Sequence, residues 1–418
     1  MGKNKIAFVV IRYGKNINGG AEYHCRMLAE RLVSYYDVDV LTTCVTNYAT
    51  AENVLAAGIE DINGVAVRRF PVDPINRLQR DIFLRKASKA HKLRRFLYRI
   101  GILKCVAKIF PNWNYKEEWE MKALQGYPFY SSELNKYVME HKDEYKAFIP
   151  VNIIESPSFY TALNVPERTI IIPTLHEMSV SFWSVLTHVM TKVAYIAFNT
   201  TAEECLAENI FGSHLAPHSV VGVGIELPQS ADWEATRLKY NLPSEYLLFV
   251  GRIEPGKLHR IFSYFTAYKQ KYPSSHLKLV MVGGLTYGKE PFSHPDILYT
   301  GFVSDEEKRT IIQHARIVIN PSKFESLSLI LLEAMNDEKP MLVNGKCAVL
   351  KEHCIKSNRA ALYYTSKKTF LKNLYQMDSD KELCEEMGVK GKAYVKENYQ
   401  WNKIISSLIA IIEKTGKK

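Results

Sequence analysis

Short apolar runs alternate with amphipathic stretches along the first half of the chain. IAFVVI (6–11), DVDVLTT (37–43), VAVRRF (65–70), AFIPVN (147–152), TIIIPTLH (169–176) and YIAFNT (195–200) read as strands. Runs this short and this apolar suit strands of a parallel sheet, which are buried on both faces. Between the first two lies NGGAEYHCRMLAERLVSYY (18–36), with Met27, Leu28, Leu32 and Val33 at helical spacing. Strand, helix, strand at this rhythm predicts a doubly wound α/β sheet.

After VVGVGIELP (220–228) the pattern restarts. YLLFVGR (246–252), KLVMVGG (278–284), ILYTGF (297–302), ARIVINPS (315–322) and PMLVNG (340–345) each end in a turn residue and precede a candidate helix. The reading is a first Rossmann-like domain over 1–223, a second over 224–399, and a C-terminal helix over 400–418 that returns to the first domain. Open parallel sheets bind ligands at the carboxyl ends of their strands, so the site is expected in a cleft between the two domains.

Composition narrows the class. In 418 residues with 47% hydrophobic content, disorder and small disulfide scaffolds are excluded. Seven cysteines without a CxxC read as reduced thiols of a cytoplasmic protein. No apolar stretch reaches the roughly 18 residues of a membrane span. The charge is unevenly placed. Between Arg77 and Lys108 stand eleven Lys/Arg and one acid, Asp81, whereas the rest of the chain is nearly balanced. A basic insertion at about 77–110 is expected to meet an anionic surface. Within it, Leu93, Phe96, Leu97, Ile100, Leu103 and Ala107 form a helical apolar stripe, with Arg94, Arg95, Arg99, Lys104 and Lys108 mostly off it. Basic amphipathic helices of this kind lie on anionic membranes, here the inner face of the cytoplasmic membrane.

Four local features carry the candidate chemistry. Gly19 and Gly20, between the first strand and its helix, allow close approach of a ligand to the backbone, though the dinucleotide pattern GxGxxG is absent. Arg252 and Lys257 flank a strand-to-helix loop and suit a diphosphate, the one by bidentate hydrogen bonding and the other as a point charge. Glu325 and Glu333 are eight residues apart, roughly 80° on an ideal helix. They make sense with Glu325 in the loop and Glu333 inside the helix, Ser326 or Ser328 as the cap, and the N–H groups of Leu327, Ser328 and Leu329 facing a phosphate. His176 closes a strand of the first domain and is expected to face the cleft.

These residues together resemble the retaining glycosyltransferases of family 4, which have the two-Rossmann GT-B fold. Glu325 to Glu333 is similar to that family's EX7E motif, Gly251-Arg252 with Lys257 to its donor-diphosphate motif, and Gly19-Gly20-Ala21-Glu22 to its glycine loop. VNGKCAVLKEHCIKSNRAALYY (343–364) resembles a bacterial subgroup. The chain departs from the family where Ser328 replaces a frequent Gly and where Arg359-Ala360 replace two glycines. The resemblance implies that a sugar moves, with retention of configuration, from a UDP- or GDP-sugar to a hydroxyl of a glycan or lipid-linked acceptor during envelope polysaccharide or glycolipid assembly. Arg252 and Lys257 would neutralise the departing diphosphate, Glu333 would hold the ribose, Glu325 the donor sugar, and His176 would lie by the reacting sugar. No cofactor and no metal are expected. Asp37-Val38-Asp39 spells DxD, but it opens an apolar strand. Two other readings use the same residues: an epimerase or phosphorylase of the same fold, and a nucleic-acid-binding protein using 77–108. The second is disfavoured because Phe83, Phe96 and Tyr98 are the only aromatics there to stack on bases.

Overall fold

Strands in this protein pair in parallel because helices cover both faces of their sheets and leave the strands dry. The computed structural model describes residues 3–17, 19–74, 76–111, 115–285 and 291–416. The chain divides into two units, Met1–Val223 with Asn402–Lys418, and Gly224–Trp401.

In the first unit, β1 (Lys5–Val9), β2 (Asp37–Thr43), β3 (Gly58–Ile62), β4 (Val65–Phe70) and β5 (Ala147–Pro150) are ordered β3-β4-β2-β1-β5. All pair in parallel except β3 with β4. A second sheet, β6 (Ile170–Ile171), β7 (Tyr195–Phe198) and β8 (His218–Val220), is joined to β5 by bridges from Phe148 to Thr169 and from Val151 to Ile172. The chain therefore builds outward from β1 in one direction, then restarts beside it at β5. In the second unit, β9 (Tyr246–Val250), β10 (Lys278–Val282), β11 (Ile297–Gly301), β12 (Ile317–Asn320), β13 (Met341–Asn344) and β14 (Ala361–Tyr364) form a parallel sheet in the order β11-β10-β9-β12-β13-β14. Its reversal lies between β9 and β12. Each unit thus has one topological switch point, where open parallel sheets take their ligands.

Several expectations are corrected. β3, GIEDI, is an exposed polar edge strand that the search for apolar runs passes over. Its signal is the turn Asn63-Gly64, where both residues take positive φ (55° and 82°), the geometry of a two-residue hairpin. The run 169–176 is strand only to Ile171, so His176 does not close a strand. Asp39 is buried, accepting from Arg68 Nε at 2.7 Å and lying 3.2 Å from Lys5 Nζ, which gives the DxD spelling a structural role. The C-terminal helix Trp401–Lys414 buries Ile404, Ile405, Leu408, Ile411 and Ile412, and its Glu413 accepts from Tyr36 at 2.8 Å and Lys146 at 2.9 Å.

The basic segment differs most. It forms the helix Arg77–Arg99, a break at Gly101, and the helix Leu103–Ile109. The first helix buries Ala87, Ala90 and Arg94; of the apolar stripe, Leu93, Phe96 and Ile100 are exposed, whereas Leu103 and Ala107 are buried. Small alanines let the helix lie close to the unit. Arg94 turns inward, where Glu120, also buried, offsets part of the desolvation of its guanidinium.

Candidate functional site at the switch point of the second unit

β9 and β12 end side by side, and the loops leaving them share one hydrogen-bonded network. Arg252 stands two residues past β9, and Lys257 lies in the short helix Pro255–Leu258 that follows. Lys257 Nζ donates to Glu325 Oε1 at 2.8 Å. Asn320 Nδ2, on the last residue of β12, donates to the same oxygen at 3.4 Å and to Ser328 Oγ at 2.9 Å. Lys257, Glu325, Asn320 and Ser328 are thereby linked across two strand ends. Arg252 is 57% exposed and pairs with Glu254 at 3.3 Å, on the connection that carries Lys257.

Two features make this edge electropositive. The first is a set of cations. His259 and Arg260, which turn the chain into the helix Ile261–Lys271, both take left-handed conformations (φ 20° and 61°), costing about 1–3 kcal/mol each. Burial, and then Lys323, Lys346 and Arg260, push the His259 imidazole down to about 4. The second is a helix start. Ser328 precedes the helix Leu329–Asn336 with φ 75° and ψ 77°, but makes no side-chain cap. This corrects the expected serine cap: the hydroxyl is taken by Asn320 instead. The N–H groups of Leu329 and Ile330 have no intrahelical acceptor, and the positive end of the helix dipole opens there. Glu333, in the second turn, is buried and lies 3.3 Å from Lys308 of the helix Asp305–His314.

The first unit's switch point has a different character. Arg12, three residues past β1, donates through Nε to Glu22 Oε1 at 2.9 Å and through Nη1 to the Thr46 carbonyl at 3.0 Å. Its guanidinium lies 5.6 Å from the centre of the Tyr48 ring. Tyr48 donates to Glu155 Oε1 at 3.2 Å. Glu155, five residues past β5, is 5% exposed, and burial pushes its carboxyl up to about 7. A Cβ on Gly19 would stand 2.0 Å from Glu22 Oε2, so a side chain there would displace the carboxylate that Arg12 holds over the loop. Gly20 begins the helix Gly20–Leu32, and a Cβ on it would meet nothing within 4 Å. Asn18 lies outside the described residues. His176 lies beyond β6, where its Nδ1 donates to the Thr174 carbonyl at 2.9 Å. Ser181 and Met178 bond its own carbonyl.

Residues 244–375 match the family described as Glycosyl transferases group 1. Across those residues the second unit carries the sequence pattern of that family, and the two units have the Rossmann-like folds of GT-B proteins. The chain is 23% identical to an uncharacterized glycosyltransferase of Methanocaldococcus jannaschii over 97% of each chain. Among solved structures it is similar to sucrose-phosphate synthase from Thermosynechococcus elongatus, with 13% identity, 99% of each chain covered and a TM-score of 0.69. It is also similar to the Anabaena protein HepE in complex with UDP and glucose, with 14% identity, 98% and 99% covered and a TM-score of 0.66.

Motifs alone pass over several of the residues that shape this candidate site. β12 and β13 both end in asparagine. Each side chain accepts the N–H two residues on, Asn320 from Ser322 at 3.0 Å and Asn344 from Lys346 at 3.1 Å. Their amides then reach Ser328 and the Pro321 carbonyl. The repeated strand-end Asn was a legible signal. Lys308, Lys323 and Lys346 carried none, since lone lysines are ordinary surface residues. His353 Nε2 lies 2.8 Å from the Leu327 carbonyl, 26 residues away in sequence. Only the fold brings them together.

Proposed function

We propose that this protein transfers a sugar, with retention, from a nucleoside-diphosphate sugar to a hydroxyl of a glycan or lipid-linked acceptor. The observation that carries the reading is the Lys257–Glu325–Asn320–Ser328 network beside an uncapped helix start, at the switch point of a parallel sheet. The departing diphosphate gathers charge in the transition state. Arg252, Lys257 and the N–H groups at 328–330 answer it, each charge-assisted bond contributing about 1.5–3 kcal/mol. Lys257 exchanges its bond to Glu325 for the phosphate. That releases the Glu325 carboxylate to accept a hydroxyl of the donor sugar. Glu333, oriented by Lys308, accepts from the ribose. His176 and the Glu22–Glu155 region of the first unit serve the acceptor. Protein cations supply the positive charge, so no cofactor or metal is required.

The test is a panel of UDP-, GDP- and ADP-sugars, with released diphosphate as the readout, in the presence and absence of EDTA. One donor turned over equally with and without EDTA is expected. No diphosphate release from any donor, in a protein that no nucleoside diphosphate stabilises against heat, would sink the reading.

The outward face of the basic segment supports an anionic lipid surface as the partner that presents the acceptor. Leu93, Phe96, Ile100, Ile102, Ile109 and Phe110 are exposed, interleaved with the exposed cations Lys89, Lys92, Arg99, Lys104 and Lys108. Apolar side chains that enter the acyl boundary, flanked by cations that meet headgroups, are what an interfacial helix needs. No helix among the described residues is long and apolar enough to cross a membrane. Co-sedimentation with phosphatidylglycerol vesicles, but not with phosphatidylcholine vesicles, is expected, with at least a five-fold loss in Phe96→Ser/Ile100→Ser. Equal binding to both vesicles, or none, would remove this partner.

A further inference from the structure

We infer that His353 is a positioning residue that aims the Ser328 N–H at the donor diphosphate; the inference rests on the donor-site reading above. His353 lies in the helix Ala348–Lys356, is 1% exposed, and contacts none of the charged residues assigned to the donor.

Its hydrogen bonds have one consistent direction. A carbonyl can only accept, so Nε2 carries the proton and donates to Leu327 at 2.8 Å. Nδ1 is then an acceptor and takes the Tyr394 hydroxyl proton at 3.0 Å. Tyr394 has given its proton, so at 3.1 Å it accepts from Tyr399. The result is a one-way chain: Tyr399 to Tyr394 to His353 to the Leu327 carbonyl. The three rings pack together, with His353 centred 6.0 Å from each tyrosine and the tyrosines 5.5 Å apart. Neither the tautomer nor the ring is free to change. Burial also keeps the imidazole neutral, its value pushed down to about 4.

The consequence lies in the Leu327–Ser328 peptide. In a trans peptide group the C=O and the following N–H point in opposite directions. With the Leu327 oxygen held on the buried imidazole, the Ser328 N–H points away from it. Ser328 is left-handed, Asn320 fixes its hydroxyl, and the next two N–H groups open the helix. A flip of this one peptide would replace the first donor of the row with a carbonyl oxygen, which repels phosphate. The bond from His353 prevents that flip. Successive N–H groups of this kind form an anion-binding concavity only while all of them face the same way.

The test measures the affinities of UDP, GDP and ADP, and of the matching monophosphates, by calorimetry. Variants are His353→Leu, which removes the donor, His353→Gln, whose amide restores a donor near Nε2, and Tyr394→Phe, which frees the tautomer. The expected result is at least a ten-fold loss of diphosphate affinity in His353→Leu, less than a three-fold loss for the monophosphate, and recovery to within three-fold of wild type in His353→Gln. Tyr394→Phe is expected to lose two- to five-fold for the diphosphate, which keeps the inference testable if His353→Leu does not fold. Wild-type diphosphate affinity in His353→Leu, or in Tyr394→Phe where the former is insoluble, overturns this inference and leaves the donor site standing. So does an equal loss for both nucleotides without recovery in His353→Gln. Wild-type protein that binds no nucleoside diphosphate overturns the donor site and this inference with it.

Discussion

The two units reach the same topological solution and charge it in opposite ways. Each has a switch point with a strand-to-helix loop on one side and a carboxylate on the other. In the second unit, Lys257 is bonded to Glu325 in the loop before the helix Leu329–Asn336, and Lys323 and Lys346 bear on His259, whose imidazole is held uncharged. In the first, the Arg12 guanidinium is bonded to Glu22, and Glu155 is buried enough to hold its proton toward neutrality. Topology selects where a ligand binds, whereas side-chain charge selects which one: under the function proposed above, a diphosphate takes the second unit and neutral hydroxyls the first.

The largest test of this contrast is Lys257→Ala together with Glu325→Ala. Loss of one charge-assisted bond, to the departing diphosphate for Lys257 and to the donor sugar for Glu325, about 2–3 kcal/mol, predicts about a hundred-fold fall in kcat for each. Melting temperature is expected to change little, because the pair is partly exposed. Full turnover in both variants would break the assignment.

The next effect is on stability in the first unit. The Glu155 carboxyl is raised from 4.5 to about 7, so the folded protein holds that proton more tightly than the unfolded chain does. The stabilisation this provides is complete below about pH 4.5 and is lost as pH rises to about 7, a change of about 3 kcal/mol. Glu155→Gln keeps an acceptor for Tyr48 and is expected to flatten that dependence, as read by urea unfolding at pH 4 and pH 8. An unchanged slope would show that Glu155 is ionised throughout.

The smallest effect sharpens the role of the glycine loop. Gly20→Ala places a Cβ in open space at a helix start, so stability is expected to move by less than about 0.5 kcal/mol. If the acceptor approaches that backbone closely, its KM rises at least five-fold. An unchanged KM places the acceptor elsewhere.

Much of this architecture was legible because parallel strands announce themselves as short apolar runs: ten of those read from the sequence hold a core strand, and only 169–176 largely does not. β3 is passed over because a polar edge strand is chosen by its hairpin, and β8 and β14 because short strands borrow their burial from neighbours. Glu325, Glu333, Arg252 and Lys257 could be picked out by spacing. Lys308 and His353 could not, because each acts on a residue from another element. The apolar stripe of the basic segment shows the limit of periodicity. It located a helix, but packing split the stripe: Leu93, Phe96 and Ile100 stay exposed, while Leu103 and Ala107, with Ala87, Ala90 and Arg94, face the unit.

By itself, then, the sequence determined the alternation of strand and helix, the restart after residue 220, the concentration of positive charge in 77–108, and the residue types offered at each strand end. Those follow from local periodicity and from side-chain chemistry, which travel with the chain. Tertiary structure alone decided which carboxylate meets which cation, that Ser328 is held by Asn320 instead of capping its helix, and that a histidine 26 residues away fixes the Leu327 carbonyl. Such choices depend on distances between elements, and only packing sets those distances.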